Sequence, residues 1–423
     1  MPYPKSLLGK TATRLNLQKA WEDISRSARP QSHGLSGQTI QNFSSNWKSN
    51  LETIRNDLVN GNYRFGPVRA ATIRKKGGKK RPLRIADIRD RVVQRAITRA
   101  LDRRLSKQFN LDNPASFAYL IHKGVQSAVK QMLKYHQDGC RFILEADIVD
   151  FFGTVDINSL LQDFIFPNLP DKTINTLIEA AFRMEVGNLE DLPEEDWDLY
   201  PESSSGLPQG GYLSPLFSNI YLSEFDHRML EANFRLIRYA DDFIVMCKTQ
   251  EEAEKAYILS CEILENEVDL KLHDRNDANK EARTRIVKVT QRPIQFLGIR
   301  FNGSRIWPSD EKRQNLTYKL DRISRNPQNI LILLTSMRNL LKGWVAAYGF
   351  TDLNSSYIES IDNEVNKHLW KALKKLQWKI SQSTLSIEQR ANSGVNTAGL
   401  YLTSVRNNLN EKDRELLEKY WTI

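Results

Sequence analysis

The sequence predicts an α+β chain with antiparallel sheets in its middle and helices at both ends. Three observations carry this. Leu236-Ile237-Arg238-Tyr239 and Phe243-Ile244-Val245-Met246 are short apolar runs split by a polar break at Asp241-Asp242, the pattern of two buried strands joined by a tight turn. A second β-rich pair of segments, 68–73 and 81–85, flanks the glycine turn Gly77-Gly78. Before residue 65 and after Glu311, apolar residues recur at the three- and four-residue spacing of amphipathic helices.

At 423 residues with 40% hydrophobic content the chain is long enough for several units with a sizeable core, and bulk disorder is excluded. No apolar run approaches the roughly 20 residues that span a bilayer, and Met1-Pro2-Tyr3-Pro4-Lys5 lacks a signal-peptide core. Cys140, Cys247 and Cys261 fit no metal spacing and six histidines are scattered, so zinc is not indicated and a reducing, cytoplasmic setting is expected. Net charge is +10, and residues 69–107 hold 15 Lys or Arg against 3 Asp, or +12, so the rest of the chain sums to −2. A polyanion would meet that region first.

Taken in order, Leu15, Leu17, Ala20, Trp21 and Ile24 form one helical face, and Phe43, Trp47, Leu51, Ile54 and Leu58 a second, stopped at Gly61-Asn62. The turn 75–80 carries four lysines, which with Arg81 supply cations for phosphates. Residues 90–107 read as a helix with Arg91, Arg95, Arg99 and Arg103 as a basic ridge. Residues 141–152 form a strand with Asp147 near its end, followed by a helix over 157–164. The stretch 185–202 holds eight acids and reads as a solvated surface loop or insertion. Gly206-Leu207-Pro208-Gln209-Gly210-Gly211 is a glycine-rich turn before a helix over 213–230. After the Asp-Asp hairpin come a helix over 250–268 and short strands over 286–289 and 295–301. The chain is then all-helical, and its helix over 361–376 carries Lys371 and Lys374 beside Trp370, which suits a nucleic-acid backbone.

Two adjacent carboxylates held against an apolar wall repel one another, and a divalent cation relieves both repulsion and poor solvation. In sequence order stand Lys80-Arg81-Pro82-Leu83, Asp87-Ile88-Arg89-Asp90-Arg91, Asp147-Ile148-Val149-Asp150-Phe151-Phe152, Leu207-Pro208-Gln209-Gly210-Gly211, Arg238-Tyr239-Ala240-Asp241-Asp242 and Phe296-Leu297-Gly298. This series, together with Asn60-Gly61-Asn62-Tyr63 and Gly343-Trp344, resembles reverse transcriptases of the group II intron lineage over roughly residues 16–375.

The resemblance implies a right-hand polymerase: a helical extension (1–65), fingers (66–140), a palm with an antiparallel sheet (141–305, its acidic insertion at about 185–205), a helical thumb like the maturase X region (306–380) and a helical tail (381–423). It implies RNA-templated DNA synthesis from dNTPs with two Mg²⁺ ions, for which Mn²⁺ can substitute. By similarity Asp147 and Asp241 bridge the metals, Asp242 supports the primer-side metal and Ile148 lends a carbonyl. Lys75, Arg81 and Arg84 hold the triphosphate, Phe152 excludes a 2′-hydroxyl, and Gln209 contacts the incoming nucleotide. Arg91, Arg95, Lys371 and Lys374 are expected on nucleic acid. Arg283 stands where the family usually has a lysine, and the acidic stretch is longer than usual. Those departures and the short segment after Ile380 resemble the stand-alone "unknown group" enzymes of bacterial anti-phage defence, whose partner is a structured non-coding RNA. An intron-encoded reverse transcriptase and maturase is the alternative. A non-catalytic RNA-binding splicing factor is a third reading, which the intact Asp147, Asp241 and Asp242 oppose.

Overall fold

Helix Arg14–Ser27 opens on Thr13, whose hydroxyl accepts from the Asn16 N–H, and buries Leu17, Ala20, Trp21 and Ile24. Leu15, expected on that face, is 62% exposed, because at about 100° per residue it stands on the opposite side of the helix from Leu17. The expected single stripe from Phe43 to Leu58 breaks at Asn46 into helices Ile40–Ser45 and Trp47–Val59, and the break lets Phe43 pack on Trp21, ring centroids 4.6 Å apart. The computed structural model describes residues 5–74, 80–201, 206–275 and 284–376. Contacts divide the chain into two units, 1–286 and 287–423, the division falling inside the stretch assigned above to a palm.

In the first unit helix Ile88–Gln108 lies at the centre, with Ile88, Val92, Val93, Ala96, Ile97 and Leu101 fully buried. Strands β1 (Arg69–Arg74) and β2 (Lys80–Ile85) form an antiparallel hairpin. Strands β3 (Phe142–Asp147), β4 (Arg235–Tyr239) and β5 (Asp242–Cys247) form a sheet that β6 (Arg285–Lys288), the strand in which the division falls, completes in the order β4-β5-β3-β6. Side chains alternate across it. Leu144, Ala146, Leu236, Phe243 and Val245 enter the main core. Asp147, Asp242 and Tyr239 stand in register with one another on the other face.

The acidic stretch lies at the surface as expected, with Asp196 the one buried acid among its described residues, but it is not a free loop. It forms two short turns, Leu189–Asp191 and Glu194–Leu199, laid along β1. The Val68 N–H donates to the Glu185 carbonyl (2.7 Å), the Gly187 N–H to the Val68 carbonyl (3.0 Å) and the Ala70 N–H to Asn188 Oδ1 (2.7 Å). Glu195 and the buried Asp196 both pair with Lys80 of β2. An open strand edge and a half-buried lysine each need partners, and this segment supplies both.

The second unit holds strands β7 (Ile294–Phe296), β8 (Ile299–Phe301) and β9 (Ile306–Pro308) in one sheet. Leu297 and Gly298, both at positive φ, turn β7 into β8. Helices Asp310–Arg325, Ile330–Tyr348 and Ser355–Lys375 pack around Leu320, Met337, Leu341, Val365 and Leu369. Among the described residues one helix is long and apolar enough to cross a membrane by length and composition, although Arg338 and Lys342 interrupt its apolar run: Ile330–Tyr348, 19 residues at hydropathy 1.3. Leu333, Met337, Leu341, Trp344 and Val345 along one of its faces belong to the helical core, while Leu331 and Ile332 in its first turn are exposed.

Candidate active site

The site starts from a register. On the antiparallel pair β3–β5, Asp147 lies directly opposite Asp242, after five apolar or buried pairs from Phe142–Cys247 to Ala146–Phe243. Residues so opposed share a face with Cβ atoms about 4.5–5.5 Å apart, and like charges there destabilise the pair. Tyr239 of β4 also pairs with Asp242, which leaves Ala240 and Asp241 as the two central residues of the turn. Ala240 has φ +58°, a position that glycine usually fills. Such strain persists where surrounding contacts over-determine it.

Ile148 continues β3 into an antiparallel bridge with Leu272. That ladder uses the Asp147 carbonyl, accepting from the His273 N–H at 3.2 Å, and the Val149 N–H, donating to Lys271 at 2.8 Å. The Ile148 carbonyl is outside this ladder and points to its other side, as alternation requires. Asp150 then adopts a left-handed φ of +39° and starts the short helix Phe151–Thr154. Phe151 is buried in the core, as the sequence suggested, and Phe152 is half-buried, edge-on to it at 5.3 Å.

The glycine turn is locked to both neighbours. Gly206 (φ +86°) donates its N–H to the Val155 carbonyl (2.9 Å), and a Cβ there would fall 2.7 Å from the Phe152 carbonyl oxygen. Gly210 (φ +106°) passes so close to β2 that a Cβ would meet the Arg84 carbonyl at 3.2 Å, while the Arg84 N–H donates to the Gln209 carbonyl at 3.0 Å. Helix Ile88–Gln108 backs the turn: the Tyr212 N–H donates to Gln94 Oε1 (3.1 Å) and the Thr98 hydroxyl to the Tyr212 carbonyl (3.0 Å). Phe152, Gln209 and β2 are thereby gathered into one neighbourhood.

Arg81 is exposed. Arg84 is half-buried, donates to the Pro201 carbonyl (2.8 Å), and burial holds its pKa below the usual arginine value. Tyr119 was not anticipated. The segment 115–119 runs parallel to β4, with Ser116 abreast of Arg238, so the register carries Tyr119 to the level of Asp241. Tyr119 has φ +62° and is 50% exposed. Burial raises its phenol pKa, and the charges of Asp241 and Tyr239 push the same way while Arg81 opposes them. A pairing made across more than a hundred residues leaves no local signal in the sequence.

Among the described residues no group of three or more His, Cys, Asp or Glu side chains stands ready to hold a metal ion. The donor set is the opposed pair Asp147–Asp242 with Asp241 one residue earlier in the turn. Hard carboxylate oxygens in a pair fit Mg²⁺, which keeps several waters and takes further ligands from phosphates.

Residues 73–301, more than half of the chain, match the family "Reverse transcriptase (RNA-dependent DNA polymerase)". The chain belongs to the reverse transcriptase family. It is 28% identical to Protein YkfC of Escherichia coli across 53% of this chain and 65% of that one. It is 29% identical to the group II intron-encoded protein LtrA of Lactococcus lactis across 53% of this chain and 35% of that one. The matched stretch thus spans less than two thirds of either relative, and both support a group II-like bacterial lineage. Among solved structures, a partial Cas6-RT-Cas1–Cas2 complex is similar at 20% identity over 62% of this chain and 43% of that one, TM-score 0.35.

In this reverse transcriptase the expected arginine ridge is graded, from buried Arg91 through half-buried Arg95 and Arg99 to exposed Arg103. Arg91 is buried and donates to the Ala86 carbonyl (2.8 Å) and Ser32 Oγ (2.9 Å). Arg95 and Arg99 both pair with Asp23 at 2.8 Å. The expected placement of Arg91 on nucleic acid is corrected, since its side chain is buried; Arg95 and Arg99, half-buried, tie this helix to helix Arg14–Ser27 through Asp23. In the second unit Lys371 and Lys374 are both exposed, and Lys371 pairs with Asp321 at 3.0 Å. Lys75 and Arg283 lie outside the described residues.

Proposed function

We propose that this chain is an RNA-directed DNA polymerase that adds dNTPs to a 3′-hydroxyl on an RNA template. The observation that carries the reading is the Asp147–Asp242 pair at the end of a buried hairpin, beside Asp241, within a chain of the reverse transcriptase family. These carboxylates, with the Ile148 carbonyl, would hold two Mg²⁺ ions, for which Mn²⁺ can substitute. Cations bound there would lower the pKa of the attacking hydroxyl and neutralise the leaving pyrophosphate. The right-hand layout gives the remaining roles: β1–β2 acts as fingers, with Arg81 and Lys75 as cations for the triphosphate. Arg84, tied to Pro201, supports the hairpin and reaches phosphate only if it leaves that carbonyl. Gln209 orients the nucleotide from the glycine turn, and the exposed Lys374 suits nucleic-acid phosphate. The test is Mg²⁺-dependent dNTP incorporation by the purified chain on a primed RNA template; absence of incorporation on any primed template rules the reading out.

Phe152 is proposed as the sugar gate. Replacing it by Val opens room for a 2′-hydroxyl, and the ratio of NTP to dNTP incorporation is expected to rise about tenfold or more, since a pocket discriminates small groups at that scale. Steady-state competition between dGTP and GTP measures it, and an unchanged ratio removes the gate.

The proposed setting is a cytoplasmic bacterial enzyme of anti-phage defence that copies a structured non-coding RNA into DNA, supported by Arg283 and the long acidic stretch as departures from the intron-encoded pattern. Similarity to LtrA favours a second reading, an intron-encoded enzyme that copies and helps splice its own intron. Sequencing the RNA that co-purifies with the chain, together with the DNA flanking the gene, separates the two.

A further inference from the structure

Arg238, the residue before Tyr239-Ala240-Asp241-Asp242, is fully buried on the opposite face of the sheet from the carboxylates, in register with Phe243 of the core. A buried arginine in an apolar core is costly unless every donor is used. Here all five N–H groups are spent. Nε and Nη2 donate to Asp226 Oδ1 and Oδ2, both at 2.6 Å, in a bidentate pair. Nη2 also donates to Ser116 Oγ (3.2 Å), and Nη1 donates to Asn219 Oδ1 (3.1 Å) and to the backbone carbonyl of Ala240 (3.0 Å). Asp226 is itself fully buried and accepts from Asn113 Nδ2 at 3.2 Å. Asn219 donates to the Ala118 carbonyl at 2.8 Å. The backbone of Arg238 is clamped as well, its N–H on Ala115 (2.7 Å) and its carbonyl on Phe117 (2.9 Å).

We propose that Arg238 is the positioning residue of the active site: through its hydrogen bond to the Ala240 carbonyl it holds the strained turn that aims Asp241 and Asp242. This rests on the polymerase reading above. Ala240 carries a side chain at φ +58°, which an unsupported turn would relax. The guanidinium joins that turn to helix Ser223–Glu231 through Asp226, to helix Ser214–Tyr221 through Asn219 and to the 113–118 segment through Ser116. Arg238 cannot touch substrate from the core face. Its influence on chemistry passes through the groups it anchors, the Ala240 carbonyl first among them, so it is distinct from the carboxylates it supports. The same anchor reaches Tyr119, the neighbour of Asp241, because Asn219 fixes the preceding carbonyl.

The test compares Arg238→Lys with wild type in the full chain, using thermal melting, binding of Mn²⁺ alone followed by the electron-spin signal of the free ion, and steady-state incorporation. A lysine keeps the charge for Asp226 but cannot also reach Ala240 with a planar fork. Expected are a cooperative melt, Mn²⁺ binding weakened about tenfold, and kcat lowered about tenfold or more with KM for dNTP within about threefold. Ala240→Gly, which makes the positive φ free of strain, is expected to return part of that kcat in the Arg238→Lys background. If Arg238→Lys does not fold, Asn219→Ala, which removes one acceptor and leaves the ion pair, is expected to shift Mn²⁺ binding and kcat in the same direction by a smaller factor, and wild-type values there overturn the proposal. A folded Arg238→Lys protein with wild-type Mn²⁺ affinity and kcat overturns the proposal, as does a kcat that falls only in step with the folded fraction and is not restored by Ala240→Gly. Wild type that binds Mn²⁺ but incorporates no dNTP refutes the polymerase reading instead, and the Mn²⁺ comparison still decides the role of Arg238.

Discussion

Asp242→Asn is expected to lower dNTP incorporation by at least about 10³-fold while leaving the protein folded and slightly more stable. The two effects have one cause. Asp242 faces Asp147 directly across the β3–β5 ladder, so in the metal-free protein two anions share one end of an apolar sheet. Removing one charge lifts a cross-strand repulsion of roughly 0.2–1 kcal/mol. The same removal takes a hard oxygen anion from the cation site, where charge developing in the transition state has to be held. Asn keeps the size and the turn geometry, so a loss of activity cannot be assigned to packing. Asp147→Asn is expected to behave alike, and the double variant to be little worse than either, because residues that act as one unit are not additive. Primer extension alongside thermal melts measures both quantities. Retained incorporation in either single variant would remove that carboxylate from the site, and a fall in melting temperature would show that the pair is not repulsive in the free protein.

Asp226→Ala carries the largest expected cost in stability. It strands a guanidinium with no solvent exposure, having removed the acceptor of its two shortest hydrogen bonds. Breaking a buried ion pair by deleting one partner costs about 3–5 kcal/mol, a large share of the roughly 5–15 kcal/mol that holds a typical domain. Urea unfolding of the first unit should show its midpoint shifted accordingly. Replacing both partners by apolar residues, Arg238→Met with Asp226→Leu, is expected to recover much of that loss, because no charge is left buried. A single variant within about 0.5 kcal/mol of wild type would mean that water reaches Arg238. The recovered double variant is expected to stay poor in incorporation, since the Ala240 carbonyl has lost its donor.

The strands that carry Asp147 and Asp241-Asp242 were legible because short apolar runs interrupted by carboxylates have few other uses. Asp147 and the pair Asp241-Asp242 could be selected from the pattern alone, as could Phe151 as core and the glycine turn beside it. The helices were legible where one face is buried, and misread where a single residue decides the outcome: Asn46 splits a continuous stripe, and Leu15 has the right chemistry at the wrong angle. Charge was the least readable property. Fifteen cations within residues 69–107 suggested one basic surface. Folding pairs Arg95 and Arg99 with Asp23, buries Arg91 and turns Lys80 onto Glu195 and Asp196, residues that are far away in the chain.

By itself the sequence determined which local elements form and which residue types could do the chemistry, since both follow from patterns a few residues long. Only the tertiary structure decided that Asp242 rather than Asp241 is the residue facing Asp147, that Tyr119 lies abreast of the turn, and that Arg238 underpins it from the core. A strand register, a parallel pairing across more than a hundred residues and the use of all five donors of one guanidinium depend on groups brought together by the whole fold.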